Sequence, residues 1–326
     1  MDEQEIFNPR VDLSELHESV EKMRAEIGKV IVGQQEMIDL LLAALLADGH
    51  VLIEGVPGIA KTLTARLLAK TIATDFSRIQ FTPDLMPSDI LGTSVFNRKK
   101  SDFEFKKGPV FSNLVLIDEI NRSPAKTQAA LFEVMEERQV TIDGATYHMA
   151  PPFLVVATQN PIEQEGTYRL PEAQIDRFLF KIEMSYPSLE EETTLLNAAH
   201  ERENRDETES VQTAITATQV VKFQQQVGAL HIDENLILYI AQIVNQTRNH
   251  NGLYLGASPR ASLAIMAGAK AFAAMSGRDF VTPEDVRRAV YPALRHRLLL
   301  TPEKEMEGVA TEDIIKLLLE SVEAPR

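Results

Sequence analysis

The stretch at 50–73, HVLIEGVPGIAKTLTARLLAKTIA, constrains the fold more than any other part of the chain. A short run, apolar nearly throughout, enters a loop of turn residues, and a helical pattern leaves it. A strand with no polar alternation is buried on both faces, as happens when returning helices cover both sides of a parallel sheet. The loop follows the phosphate-cradling order G-x-x-x-x-G-K-[ST], except that Ala60 stands where glycine precedes the lysine.

The loop runs from Gly55 through Val56, Pro57, Gly58, Ile59 and Ala60 to Lys61 and Thr62. Pro57 and Gly58 suit the centre of a type II turn, because proline fixes the first φ and glycine accepts a positive second φ. Such a turn wraps backbone N–H groups around phosphate oxygens, and the helix opening near Lys61 adds its terminal donors and the positive end of its dipole. Lys61 is then placed for the outer phosphates and Thr62 for magnesium. If Ala60 needs φ > 0, its methyl group costs about 1–2 kcal/mol, which a ligand-fixed loop tolerates. The bland alternative is a chance strand–turn–helix with an ordinary lysine.

A second run, NLVLIDE at 113–119, ends on two carboxylates. Burying charge is costly without a partner, and a magnesium–phosphate site supplies one. Asp118 can hold the metal shell, and Glu119 can orient and polarise an attacking water. FLVVAT (153–158) and RFLFKIEM (177–184) complete a set of buried strands, with helical patterns at 61–73 and 124–137 as crossovers.

Residues 11–30 carry apolar side chains at helical spacing. The segments 93–108 and 139–149 read as hairpins, the second with Asp143-Gly144 as a two-residue turn. After Tyr186-Pro187 the strands stop and helices follow, with starts at YPSLEEE, DENL, SPRA and TPEDV. The domains expected are therefore 1–186, a nucleotide-binding core with an N-terminal helix and two hairpin inserts, and 187–326, an all-α lid.

Net charge is −15, which disfavours non-specific nucleic-acid binding. Cysteine is absent, which excludes disulfides and thiolate metal sites and suits a cytoplasmic setting. The start of the sequence lacks the order of a secretory signal, and the longest apolar run, 40–47, is too short to span a bilayer, so no membrane insertion is expected. The histidines show no ligand spacing, so the only metal expected is the nucleotide's magnesium.

The motifs GVPGIAKT, LVLIDEINRSPAKTQAALFEVMEERQVTIDG, FLVVATQNPIEQEGTYRLPEAQIDRFLF and GASPRA together resemble the MoxR family of AAA+ ATPases over roughly residues 28–300. That family tolerates a small residue before the lysine, so Ala60 fits it. The resemblance implies an α/β fold: a three-layer αβα core with a parallel sheet in the order 5-1-4-3-2, followed by a helical lid. It implies ATP and Mg2+ as ligands, with Val32 and Gly33, in VIVGQ (30–34), beside adenine. By the same resemblance Asn160 is sensor one, Arg177 an arginine finger reaching a neighbouring subunit, and Arg260 sensor two. It further implies a self-assembled ring, typically a hexamer, acting chaperone-like on a protein client, often with a partner bearing a von Willebrand A domain.

Physical chemistry bears on some of these roles independently. Ser258 and Pro259 mark a helix start, which sets Arg260 at the positive end of a dipole, a conflict of about 0.3–1 kcal/mol that a phosphate would remove. Whether it serves its own subunit or a neighbour is open from sequence. Arg177 could instead pair with Asp176 or Glu172, and Arg122 could contact a neighbour or form a surface ion pair. The 93–108 segment concentrates Arg98, Lys99, Lys100, Lys106 and Lys107, as a partner contact or as a solvated tip. Two alternatives stand beside the remodelling ATPase: a subunit similar to the AAA+ subunit of magnesium chelatase, and a nucleotide-gated scaffold that rarely hydrolyses.

Overall fold

The computed structural model describes residues 11–56, 58–160, 168, 170–201 and 207–325. The chain opens with α1 (Ser14–Gly28), α2 (Gln35–Leu46), β1 (Val51–Gly55), α3 (Lys61–Ile72), β2 (Phe76–Gln80) and α4 (Pro87–Leu91). A hairpin of β3 (Gly92–Asn97) and β4 (Asp102–Lys107) follows, then β5 (Leu114–Asp118) and α5 (Ala125–Glu137). A second hairpin, β6 (Gln139–Ile142) and β7 (Ala145–His148), leads to β8 (Leu154–Gln159), the single turn α6 (Glu172–Ile175) and β9 (Phe180–Met184).

The main sheet is parallel in the order β2-β5-β8-β1-β9. Counting only its own strands along the chain, that is 5-1-4-3-2 read from the β9 edge, as the resemblance implied. Alternation sorts the central strands into two layers of core. Val51, Ile53, Leu114, Leu116 and Val156 face α1, α2, α3 and the later helices. Leu52, Val115, Ile117, Val155 and Ala157 face Leu131, Phe132 and Met135 of α5.

β2 was not among the strands expected from apolar runs. It forms the sheet's outer edge and carries Ser77, Arg78 and Gln80, which are only partly covered, so its sequence lacks the continuous apolar run of a central strand. In the second hairpin Asp143 (φ 51°) and Gly144 (φ 78°) both have positive φ, the signature of the expected I′ turn.

The C-terminal part holds α7 (Leu189–Glu201), α8 (Ala217–Gly228), α9 (Glu234–Asn249), α10 (Pro259–Met275), α11 (Pro283–Leu294), α12 (Pro302–Met306) and α13 (Thr311–Ser321). All four marked starts open helices. In α11 the Thr282 amide donates to Asp285 Oδ2 (2.8 Å), closing the expected capping box. One expectation is corrected: this region is not all helix. β10 (Leu253–Leu255) and β11 (Leu299–Leu300) form an antiparallel ribbon that brackets α10 and α11. Such short strands, of three and two residues, leave no periodic trace in a sequence. The lid helices do not make a separate core; α8, α9, α10 and α11 share one with α1 and α2. No described helix is long and apolar enough to cross a membrane.

Candidate active site

The strands of a parallel sheet all end at one edge, and there the chain brings its polar residues together. Gly55 closes β1, Asp118 closes β5 and Asn160 follows β8, which lies between them in the sheet. Gly58 has φ 87° and Ala60 has φ 60°, so the non-glycine position does adopt the left-handed region. Pro57, expected at the turn, lies outside the described residues. Ala60 is the residue before α3, whose free N–H groups open toward the loop.

Lys61 Nζ donates to the Gly55 carbonyl (2.6 Å), which folds the side chain back over the loop. Burial pushes its pKa down, opposed by the nearby carboxylates of Asp118, Glu119 and Glu54. Thr62 Oγ1 stands 3.4 Å from each Asp118 carboxylate oxygen. Adjacent ligands of an octahedral magnesium lie about 3 Å apart, so a hydroxyl and a hard carboxylate at this separation fit that ion.

Several residues not expected from the sequence tie the acids down. Thr158 Oγ1 donates to Asp118 Oδ1 (3.3 Å) and accepts from the Glu119 amide (3.0 Å). Arg78 Nε pairs with Asp118 Oδ2 (2.6 Å), and Gln80 Nε2 donates to Glu119 Oε2 (2.6 Å). Arg122 Nε lies 3.1 Å from the same Glu119 oxygen, so Arg122 pairs within its own chain. Glu119 has φ 57° and ψ 52°, a left-handed conformation sparsely populated by residues with a side chain. Strain of this kind persists where surrounding bonds over-determine it, and it gathers at reactive sites. The one available sequence signal was weak: Arg78 and Gln80 alternate on a strand that the pattern hid.

Beside the loop lies a cavity of about 330 Å³ lined by Val30, Ile31, Val32, Ile59, Leu63 and Leu195. Its apolar walls suit the flat face of a base. Gly33 has φ 70°, where a side chain is strained, and a Cβ there would stand 2.3 Å from Glu191 Oε1, so that carboxylate would have to move. Glu191 belongs to the first turn of α7, which thereby closes over the segment.

Arg177 and Arg260 lie elsewhere. β9 begins just after Arg177, and its Phe180 is in register with Val51 at the start of β1. The loop follows the other end of β1, so its five residues put roughly 15 Å between the two places. There Glu136, at the end of α5, receives both arginines: Arg177 Nη1 at 2.9 Å and Arg260 Nη2 at 2.6 Å. Neither Asp176 nor Glu172 is the partner shown for Arg177. Glu136 also supplies an anion to Arg260, the cation at the α10 N-terminus.

Fold and site together define a P-loop ATPase of the AAA class. Residues 50–180 match the family described as ATPase family associated with various cellular activities (AAA), and residues 245–318 match the AAA lid domain. YeaC of Bacillus subtilis, itself uncharacterized, is 47% identical over 95% of this chain and 96% of its own length. Chaperone MoxR1 of Mycobacterium tuberculosis is 44% identical over 96% of this chain and 84% of its own. A crystal structure of a protein from Cytophaga hutchinsonii superposes with a TM-score of 0.88 at 45% identity, covering 95% of this chain and 96% of that one. The chain belongs to the MoxR family of AAA+ ATPases.

Proposed function

We propose that this protein hydrolyses ATP with Mg2+ as a ring of identical subunits and uses the cycle to remodel a protein client.

 The carrying observation is the meeting of Lys61, Thr62, Asp118 and Glu119 at one sheet edge, with Thr62 Oγ1 3.4 Å from both Asp118 oxygens. In this reading the backbone donors from Gly55 to Lys61 cradle the phosphates. Lys61 leaves the Gly55 carbonyl for the outer phosphates, while Val32, Gly33 and the cavity beside them take the base. Thr62 and Asp118 would hold magnesium, which supplies charge neutralisation on the phosphates when bound. Glu119 accepts the proton of the attacking water, and Asn160 orients that water.

The position of Arg177 and Arg260 supports action on a neighbour's nucleotide. Both meet at Glu136, toward the opposite end of β1 from their own loop, and the five residues of that strand span roughly 15 Å. Arg177 Nε is buried and has no hydrogen-bond partner among the described residues. The name of the Mycobacterium tuberculosis relative supports a chaperone-like role. A hexamer, a cytoplasmic setting and a client delivered by a partner with a von Willebrand A domain belong to the same reading.

The direct test is calorimetric titration with Mg-ATP beside an assay of phosphate release. The parent should bind and hydrolyse. Lys61→Ala should lose most ATP binding while its circular dichroism and melting curve stay those of the parent. Unchanged affinity in that variant would remove the loop from the site.

The first hairpin is the candidate client contact. Its tip presents Phe96 and Phe103, 49% and 66% exposed and packed edge to face at 5.3 Å, beside Arg98, Lys99 and Lys100. Exposed aromatics among cations suit an acidic partner with apolar side chains. Replacing Lys99 and Lys100 by Glu should weaken client capture at least tenfold, a loss of about 1.4 kcal/mol. Basal hydrolysis should be spared. Client binding equal to the parent's would return these lysines to a solvated tip.

A further inference from the structure

We propose that Arg297 is a positioning residue: from the lid, it fixes the loop that carries Arg177 and so presents Arg177 and Arg260 as one unit to the next subunit. This rests on the reading above that Arg177 acts on a neighbour's nucleotide.

Arg297 lies just beyond α11 and its side chain is 3% exposed. All three guanidinium nitrogens are used. Nε donates to Asp176 Oδ1 (2.6 Å), and Nη2 donates to the carbonyls of Asp176 (2.8 Å) and Phe178 (2.7 Å). Nη1 donates to the Leu179 carbonyl (3.2 Å) and to Ala293 in α11. His296 Nε2 shares the Phe178 carbonyl at 3.0 Å. Arg177 therefore sits inside a span whose carbonyls on both sides are gripped by the lid.

The amides of the same span point the other way. Those of Asp176, Arg177 and Phe178 donate to Glu172, Gln174 and Ile175 in α6, and that of Leu179 donates to His50 at the start of β1. The finger loop is thus held by the core through its N–H groups and by the lid through its C=O groups. Asp176 extends the grip: its second oxygen accepts from Ser258 Oγ (2.8 Å), and Ser258 caps the helix whose first turn bears Arg260. Glu136 closes the circuit by receiving both arginine side chains.

A buried guanidinium is an expensive way to fill space, because its charge must be fully paired and every donor satisfied. Shape alone would be served by an apolar side chain. What arginine adds is a rigid planar fork whose five donors fix several acceptors in one geometry, which lysine's single ammonium cannot do. A group that must meet a developing charge across a subunit boundary needs that rigidity, since misplacement by about 1 Å costs on the order of a hundredfold in rate.

The test uses the full-length protein. Arg297→Lys should keep the parent's affinity for ATP and lower kcat by on the order of a hundredfold. Mixed rings then locate the defect. Lys61→Ala supplies an intact finger and no working pocket; Arg177→Ala supplies an intact pocket and no finger, so their mixture should regain activity. Putting Arg297→Lys into the Lys61→Ala subunit should abolish that recovery; putting it into the Arg177→Ala subunit should leave recovery intact. Equal recovery from both placements, or loss from the second alone, overturns the proposal. If Arg297→Lys melts early, Ser258→Ala takes its place, since it cuts the bond to Asp176 without stranding a buried charge, and the same two placements decide. Should the parental mixture itself stay silent although mixed oligomers form, the assignment of Arg177 to a neighbour's nucleotide fails, and this proposal fails with it.

Discussion

Arg177→Ala is expected to bind ATP as the parent does and to hydrolyse it roughly a thousandfold more slowly or worse, the usual scale for loss of an arginine finger. Binding should survive because Arg177 touches nothing in its own loop; the shown partners of its side chain are Glu136 and the Phe132 carbonyl. The fold should survive too, because Arg260 remains on Glu136 at 2.6 Å and the Arg297 contacts use the backbone of Asp176 and Phe178, not the finger side chain. The rate should fall because the charge that builds on the transferred phosphate loses the cation proposed to come from the next subunit. Phosphate release at saturating ATP measures the drop, and titration calorimetry measures the affinity. A matching fall in affinity would mean that Arg177 acts in its own subunit; an unchanged rate would mean that it is a structural ion pair.

Glu119→Gln should also separate binding from turnover, through a different atom. The amide keeps the shape of the carboxylate and can still accept from Gln80, which now lies 2.6 Å from Oε2. It cannot take a proton from water, and general-base losses run about 10²–10⁴-fold. The ATP-bound state should then persist for long enough that sedimentation with Mg-ATP resolves the assembled ring. Turnover close to the parent's would show that another group activates water. A monomer that stays a monomer with ATP would count against the ring.

The central strands and the phosphate loop were readable because burial on both faces and close ligand approach each leave a strong local mark. Ala60 shows how far such reading reaches. The sequence posed a condition, a left-handed φ, and the structure meets it at 60°. β2 was hidden because an edge strand has one side in solvent, and with it went Arg78 and Gln80, which hold the acids. Glu136 was out of reach for another reason. It lies 41 positions before Arg177 and 124 before Arg260, and no periodicity links residues that meet only after the sheet and lid have packed. Nothing in the neighbouring residues marks Arg297; only the packing of the lid against residues 176–179 buries it. The ribbon of β10 and β11 was too short to register at all.

The separation of loop and arginines by the length of β1 has a genetic consequence. In the proposed ring, a subunit with a ruined pocket would silence its own site but still serve its neighbour's. A subunit with a ruined finger would keep its own site and silence the one next door. In a cell that makes normal and altered copies together, the second kind of allele would harm products of the healthy gene, and each lesion would complement the other. Dominance between alleles would thus map onto the two ends of a single buried strand.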